Sequence, residues 1–296
     1  MTQFLSLLLN GVSLGALYAL IALGFVIIFK SSEVVSFMHG SLLLLGAYLI
    51  ARFHDSIGFW PAVVVGIGGT ALAALLTERL LISRLRGAPV ISLAILTIGV
   101  DIIMLTELTR RIGSDILNVG QPWGGNTVRF GNIGITTNRA LAFAVAAALI
   151  GLFFAAFKYS DWGVAMRASA EDGEAAALMG IRLGRVSMVA WVVAGALAAV
   201  AGLFLVGEPT PGVTPGIGSV ALRAFPAAIL GGLDSTGGAL VGGLVVGMAE
   251  SFAAGYQDQI AFLGRGFGDV VPYVVMVAVL LVRPSGLFGT RELTRV

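Results

Sequence analysis

The chain has 296 residues, 57% of them apolar and only 11% charged, with a mean hydropathy of +0.97 and a formal net charge of +2. A water-facing domain carries about 25% charge, so most of this surface must face lipid, which excludes a soluble enzyme. With no cysteine and only His39 and His54, disulfides, thiolate metal centres, thiol nucleophiles and histidine-rich metal sites are excluded as well. No basic patch with interleaved aromatics points to nucleic acid. Glycine, at 41 residues, stands at roughly twice its average share of about 7%, and in bilayers such small residues let helix backbones approach closely.

Apolar stretches long enough to cross about 30 Å of hydrocarbon follow one another near residues 4–29, 35–51, 59–76, 90–109, 139–157, 186–206, 237–254 and 270–282. The first has no Lys or Arg before Lys30 and exceeds the apolar core of a secretory signal, so it reads as a permanent span. The connection at about 110–138, rich in Gly, Asn and Thr, predicts turns and short hairpins on the outer surface. The polar connection at about 158–185 is expected in the cytoplasm. The stretch 217–233, GSVALRAFPAAILGG at its heart, holds Arg223 and Pro226 and predicts a short, broken span packed among other helices.

The expected fold is therefore all-α, a polytopic membrane protein of eight or nine transmembrane helices in one permease domain over 1–296. With nine crossings, Lys30, Arg79, Arg84, Arg86, Lys158, Arg167, Arg182, Arg185, Arg283, Arg291 and Arg295 lie inside, eleven of the 18 basic residues. The C-terminus is then cytoplasmic and the N-terminus outside. If 217–233 does not span, the N-terminus moves inside.

Within 158–185, Ser169 is placed to cap a helix whose first turn holds Glu171, Asp172 and Glu174, where carboxylates suit the positive end of the dipole. Ala175 to Ala177, Leu178 and Met179 continue it, and Gly180 offers a left-handed stop. An interfacial helix tends to be basic with bulky apolar residues. An acidic start and an alanine face suit a protein groove better.

Here the sequence resembles a known family. GVAMRASAEDGEAAALMGI, followed by a span ending ALAAVAGLF, resembles the cytoplasmic coupling loop of branched-chain amino acid ABC-transporter permeases of the LivH type. NGVSLGALYALIALGFVIIF with VVSFMHGSLLLLGAY resembles that family's N-terminal signature. PAAILGGLDSTGGALVGGL resembles its glycine-rich segment, and RPSGLFG its closing motif. The ordered set covers the chain from end to end. One departure is Ser36-Phe37-Met38-His39-Gly40, where the family usually has Asn-Phe-Ala-His-Gly; it bears on the substrate.

The resemblance implies the membrane subunit of an ATP-driven importer in a bacterial or archaeal cytoplasmic membrane. Its partners would be a second, related permease, two ATPase subunits and an extracytoplasmic binding protein. It implies that Arg167, Glu171, Asp172, Glu174, Ala175, Leu178 and Gly180 couple to the ATPase, and that Ser36, His39, Gly40, Ser41, Asp101 and Arg223 lie along the translocation path. No cofactor is expected on this chain. Its only lysines, Lys30 and Lys158, each follow Phe, so no phosphate-binding loop is present, and ATP–Mg belongs to the partners. Branched-chain or related small amino acids are the expected substrates, with urea or short amides as the alternative.

Ionisable groups at membrane depth are expensive. Asp101 and Glu107 fall in one span, Arg223 in the broken segment and Glu250 near the end of another. Asp101 or Arg223 meets a zwitterionic substrate, or the two neutralise each other or a neighbouring subunit and simply fix packing, the preferred reading. A proton-coupled secondary transporter using Asp101 and Glu250 remains a distant alternative. It should show clear internal repeats, whereas only GSLLLLGAYL and GGALVGGLVVG look faintly alike. His39 reads as a satisfied hydrogen-bonder rather than a proton relay. Glycines 231, 232, 237, 238, 242 and 243 read as close packing rather than a flexible gate.

Overall fold

The computed structural model describes residues 2–85, 87–123, 126–130, 133–207, 212–259 and 266–289; Arg86, Arg291 and Arg295 lie outside them. Every predicted apolar stretch is a helix: α1 (Thr2–Ser32), α2 (His39–Ile57), α3 (Phe59–Thr77), α4 (Val90–Ile112) and α5 (Thr137–Tyr159). In the polar stretch follow α6 (Asp161–Glu171) and α7 (Gly173–Leu178). Then come α8 (Leu183–Leu205), α9 (Gly218–Gly231), α10 (Thr236–Gly255) and α11 (Val271–Val282). Among the described residues, six helices have the length and apolarity to cross a membrane: α1, α3 with its continuation to Leu85, α4, α5, α8 and α10. The fold is that of a polytopic membrane protein. The predicted hairpin in 110–138 is present as β1 (Thr127–Phe130) and β2 (Ile133–Thr136), antiparallel.

Position in the bundle follows side-chain chemistry. A helix apolar on every side has no face to give to water and is buried or set in lipid. The α1 window is 83% buried, against 11% for α4 and 17% for α5. α1 is thus the central post and the other two form a rim. It packs against α10 antiparallel and at backbone distance: a Cβ on Gly15 would meet Leu244 Cα at 2.8 Å, and one on Gly243 would meet Ala19 Cα at 2.5 Å.

The packing pairs come in twos. α1 packs on α10 and α9; α8 packs on α3 and α2. α2 packs on α3 and α4; α9 packs on α10 and α11. Exchanging α1–α4 for α8–α11 maps each pair onto the other, and the self-related pairs α1–α8 and α2–α9 are both in contact. Gly15-Ala16-Leu17 answers to Gly195-Ala196-Leu197, and Gly40-Ser41 to Gly218-Ser219. The chain is an inverted repeat, the arrangement that places broken helices at mid-membrane. The sequence comparison had matched α2 with α10, the wrong partner.

Two boundaries differ from expectation. The second span begins at His39 rather than at 35, because the chain after Ser32 turns through Glu33 at φ +55°. Ser169 is not a cap but lies inside α6, its hydroxyl donating to Met166 O at 3.0 Å. Ser160 caps α6, accepting from Gly163 N, and Asp172 caps α7, accepting from Ala175 N at 2.9 Å. The expected single helix is two because Asp172 takes an extended conformation, φ −153° and ψ 102°. Gly180 provides the left-handed stop at φ +89°.

Candidate functional site

Two half-helices begin at one point inside the bundle. α2 starts at His39-Gly40 and α9 at Gly218, and the two starts touch: a Cβ on Gly40 would lie 2.8 Å from Gly218 O, and one on Gly218 3.2 Å from Gly40 O. These residues are partners in the repeat, so the pseudo-twofold axis passes between them. A helix start leaves amides without intrahelical acceptors. Asp101, mid-way along α4, answers this by accepting from Ser41 N at 2.9 Å. Thr97, one turn earlier, accepts from Phe37 N at 3.1 Å. Asp101 therefore braces the start of α2 and does not pair with Arg223, which corrects the mutual pairing expected above.

Ser36, His39, Gly40 and Ser41 are all brought to this break and all are buried. His39 stacks on Phe25 with centroids 4.0 Å apart. Neither its ring nitrogens nor the Ser36 hydroxyl has a hydrogen-bond partner among the described residues. The ring is enclosed by the Phe25 face and the Gly24 backbone side of α1, and among these residues the Ser36 backbone is the one group placed to bond it.

Next to the break, on the side away from α6–α7, lies a cavity of about 630 Å³ between α1, α5, α9 and α10, within the usual size of a ligand pocket. Leu14, Leu17, Phe204 and Val220 give it apolar walls, and Asn10, Ser13 and Asn138 lie on its rim. Its charge comes from one cluster. Arg223 Nη1 donates to Glu250 Oε1 at 2.9 Å and to Asp269 Oδ1 at 2.8 Å, and the Tyr18 hydroxyl donates to Glu250 Oε2 at 2.6 Å. Arg223 and Glu250 were legible in the sequence. Tyr18 and Asp269 were missed: the first looks like one more aromatic in an apolar run, the second like a loop acid. Glu107, also flagged, is remote in role, pairing on its own helix with Arg110 and Arg111 at 2.8 and 2.6 Å.

At the opposite end, α6 is anchored and α7 is presented. Met166 is fully buried in a cluster with α1, α5 and α8, beside Trp162. Arg167 donates to the Phe157 carbonyl at the end of α5 and lies over the Phe157 ring. It ties α6 to the end of α5 while remaining exposed. Beyond it, Glu171, Asp172 and Glu174 are exposed, and Leu178 and Met179 are 89% and 85% exposed. Ala175 is exposed as well, while Ala176 turns inward.

Residues 7–280 match the family model described as branched-chain amino acid transport system / permease component. The chain is 34% identical to the high-affinity branched-chain amino acid transport system permease protein LivH of Escherichia coli K12, over 99% of this chain and 98% of that one. The chain belongs to this family. It is 32% identical to the permease protein BraD of Pseudomonas aeruginosa, over 99% of this chain and 98% of that one. It is likewise 32% identical to a probable LivH of Methanocaldococcus jannaschii, over 92% of this chain and 89% of that one. It is a non-catalytic permease component of the branched-chain amino acid ABC-transporter type.

Two of the stretches that carry the family resemblance brace α9. The closing RPSGLFG folds back on α9: Leu287 N donates to Leu230 O at 2.8 Å and Phe288 N to Gly231 O at 3.1 Å, supplying the donors that its last carbonyls lack. In the glycine-rich segment, Gly231 and Gly238 meet backbone to backbone, and Gly242 meets Ala227 O. Gly243 meets α1 in the same way, so close packing holds for these four. Gly232 also packs closely, a Cβ there lying 2.6 Å from Gly289 N, and it turns the chain at φ +100°; Gly237 alone of the six has open space around it.

Proposed function

We propose that this chain forms the translocation path of an ATP-driven importer for branched-chain amino acids. It works beside a second, related permease subunit, above two ATPase subunits, and receives substrate from an extracytoplasmic binding protein. α6–α7 is its coupling element, and ATP–Mg is bound by the ATPases alone. The observation that carries this reading is the division of labour between the two ends. At one end a short helix, fixed on α1, α5 and α8 through Met166, offers exposed Leu178 and Met179 to a partner. At the other a cavity opens beside the broken helices. The cytoplasmic placement of α6–α7 and of the C-terminus follows from the basic residues near them, and nine crossings follow if α2, α9 and α11 pass through the membrane as parts of the repeat.

The test uses the absence of cysteine from the chain. Glu174→Cys gives it a single thiol, and short bifunctional crosslinkers are applied to the complex purified from its native membrane. Crosslinking to an ATPase subunit is expected. A thiol that reacts only with lipid-soluble reagents and captures no ATPase refutes the coupling role. Uptake of leucine by the chain purified alone refutes the importer reading.

A further inference from the structure

We infer that the Arg223–Glu250–Asp269 cluster is a substrate site inside the permease that reads both charges of an α-amino acid. The guanidinium takes the α-carboxylate, Glu250 and Asp269 take the α-ammonium, and the apolar wall of Leu14, Leu17 and Val220 receives an aliphatic side chain. This deepens the importer reading and rests on it.

Three observations carry the assignment. First, the arginine is only partly used. Both acceptors meet the same nitrogen, Nη1, so among the described residues Nη2 and Nε donate to nothing. A carboxylate binds a guanidinium best through two parallel N–H donors, and that fork is free beside the cavity. Second, the two carboxylates converge. Oxygens 2.9 and 2.8 Å from one nitrogen are at most 5.7 Å apart (2.9 + 2.8), a gap that an ammonium with three donors can bridge. Tyr18 fixes the far oxygen of Glu250, so the near one stays turned toward the gap. Third, Val220 and Arg223 are three residues apart on α9 and share a face, and both line the cavity, which sets the apolar wall beside the charged cluster.

The energetics suit a transporter. Taking a lone charge into this site carries a desolvation cost that nothing repays. A zwitterion instead brings both partners at once: its carboxylate takes the free fork of Arg223 and its ammonium the two carboxylates, so no charge is left unpaired. Binding is then weak enough to release and selective against neutral molecules. Urea and short amides bring no charges, so they leave both the fork and the pair of carboxylates without an ionic partner. Asp101 has no part in this, being committed to Ser41 N.

The test is substrate protection of a single thiol in the assembled complex. Asn10→Cys places it on the cavity wall, and its labelling by a water-soluble methanethiosulfonate is timed with four probes of one skeleton. Leucine carries both charges, 4-methylpentanoate only the carboxylate, isoamylamine only the ammonium, and 4-methylpentanamide neither. Leucine at ten times its dissociation constant is expected to slow labelling about tenfold. The other three should have little effect, and Arg223→Gln or Glu250→Gln should abolish the protection. Arg223→Lys, which keeps the charge and loses the fork, serves if the Gln variants fail to assemble; it should weaken protection. Equal protection by the amide, no protection by leucine, or protection that survives Arg223→Gln and Arg223→Lys overturns the site. Binding-protein-dependent leucine uptake by the parent complex is scored separately. Its absence counts against the importer reading, whatever the thiol reports.

Discussion

The same substitution, glycine to alanine, should have opposite effects at two helical positions. At Gly151, in α5, nothing lies within 4 Å of the added methyl. Alanine there gains the helix propensity that glycine lacks, about 1 kcal/mol in aqueous helices. At Gly243 the methyl would lie 2.5 Å from both Ala19 Cα and Ala19 N. Carbon atoms rest at about 3.5–4.0 Å, so α1 and α10 must part by about 1 Å. Overpacking of this kind costs about 1–3 kcal/mol, and with backbone on both sides there is no flexible tip to give way. The same displacement carries Tyr18 from 2.6 Å to about 3.6 Å from Glu250, past the reach of an O–H···O bond. Gly243→Ala should therefore lower the melting midpoint of the purified complex and depress leucine uptake. Gly151→Ala should raise the midpoint slightly and leave uptake unchanged. If both shift in one direction, or if Gly243→Ala melts at or above the parent, the backbone contact between α1 and α10 is not what holds this pair together.

Three further outcomes follow from named contacts. Asp101→Asn keeps an acceptor for Ser41 N and should be mild, whereas Asp101→Leu orphans that amide and should cost about 1–3 kcal/mol, read as a drop in melting midpoint between the two. Gly180, at φ +89° with open space around it, should accept Asn. Gly180→Val should cost about 1–2 kcal/mol of local strain, seen as faster proteolysis of the α7–α8 junction. Leu178→Ser, at a side chain 89% exposed, should leave stability within about 0.5 kcal/mol while reducing substrate-stimulated ATP hydrolysis by the complex; an equal loss of stability would show the residue packs within the chain instead.

How much of this was legible depends on the range of each interaction. Helices written as long apolar runs were plain, and so was the break at 217–233, where Pro226 and Arg223 announce it locally. The break between the first two helices was also plain, but the late start of α2 at His39 was not, because nothing between Val34 and Met38 is a strong helix breaker, and that segment is held by α4 through Thr97 and Asp101. Asp172 looked like a helix-interior acid and is a cap, since both roles favour a carboxylate near a helix start. Partner choice was least legible. Asp101, Glu250 and Asp269 are all carboxylates near apolar helices, and only the packing of α9 on α10 decides which of them Arg223 reaches.

The two halves of the repeat hold their broken helices by different means, and that difference bears on which half can move. At α2 the start is fixed by a half-buried carboxylate accepting from a buried backbone amide. The counterpart of α4 is α11, VPYVVMVAVLLV, which has no carboxylate to offer α9. α9 is held instead by Arg223, through ion pairs at the edge of a cavity, with Asp269 68% exposed. Ion pairs beside water exchange cheaply, whereas a buried amide–carboxylate bond leaves an orphan when it breaks. Symmetric in backbone, the repeat is asymmetric in restraint: α2 is held by a carboxylate on an amide of its own first turn, and α9 by ion pairs at the cavity that a charged substrate can join.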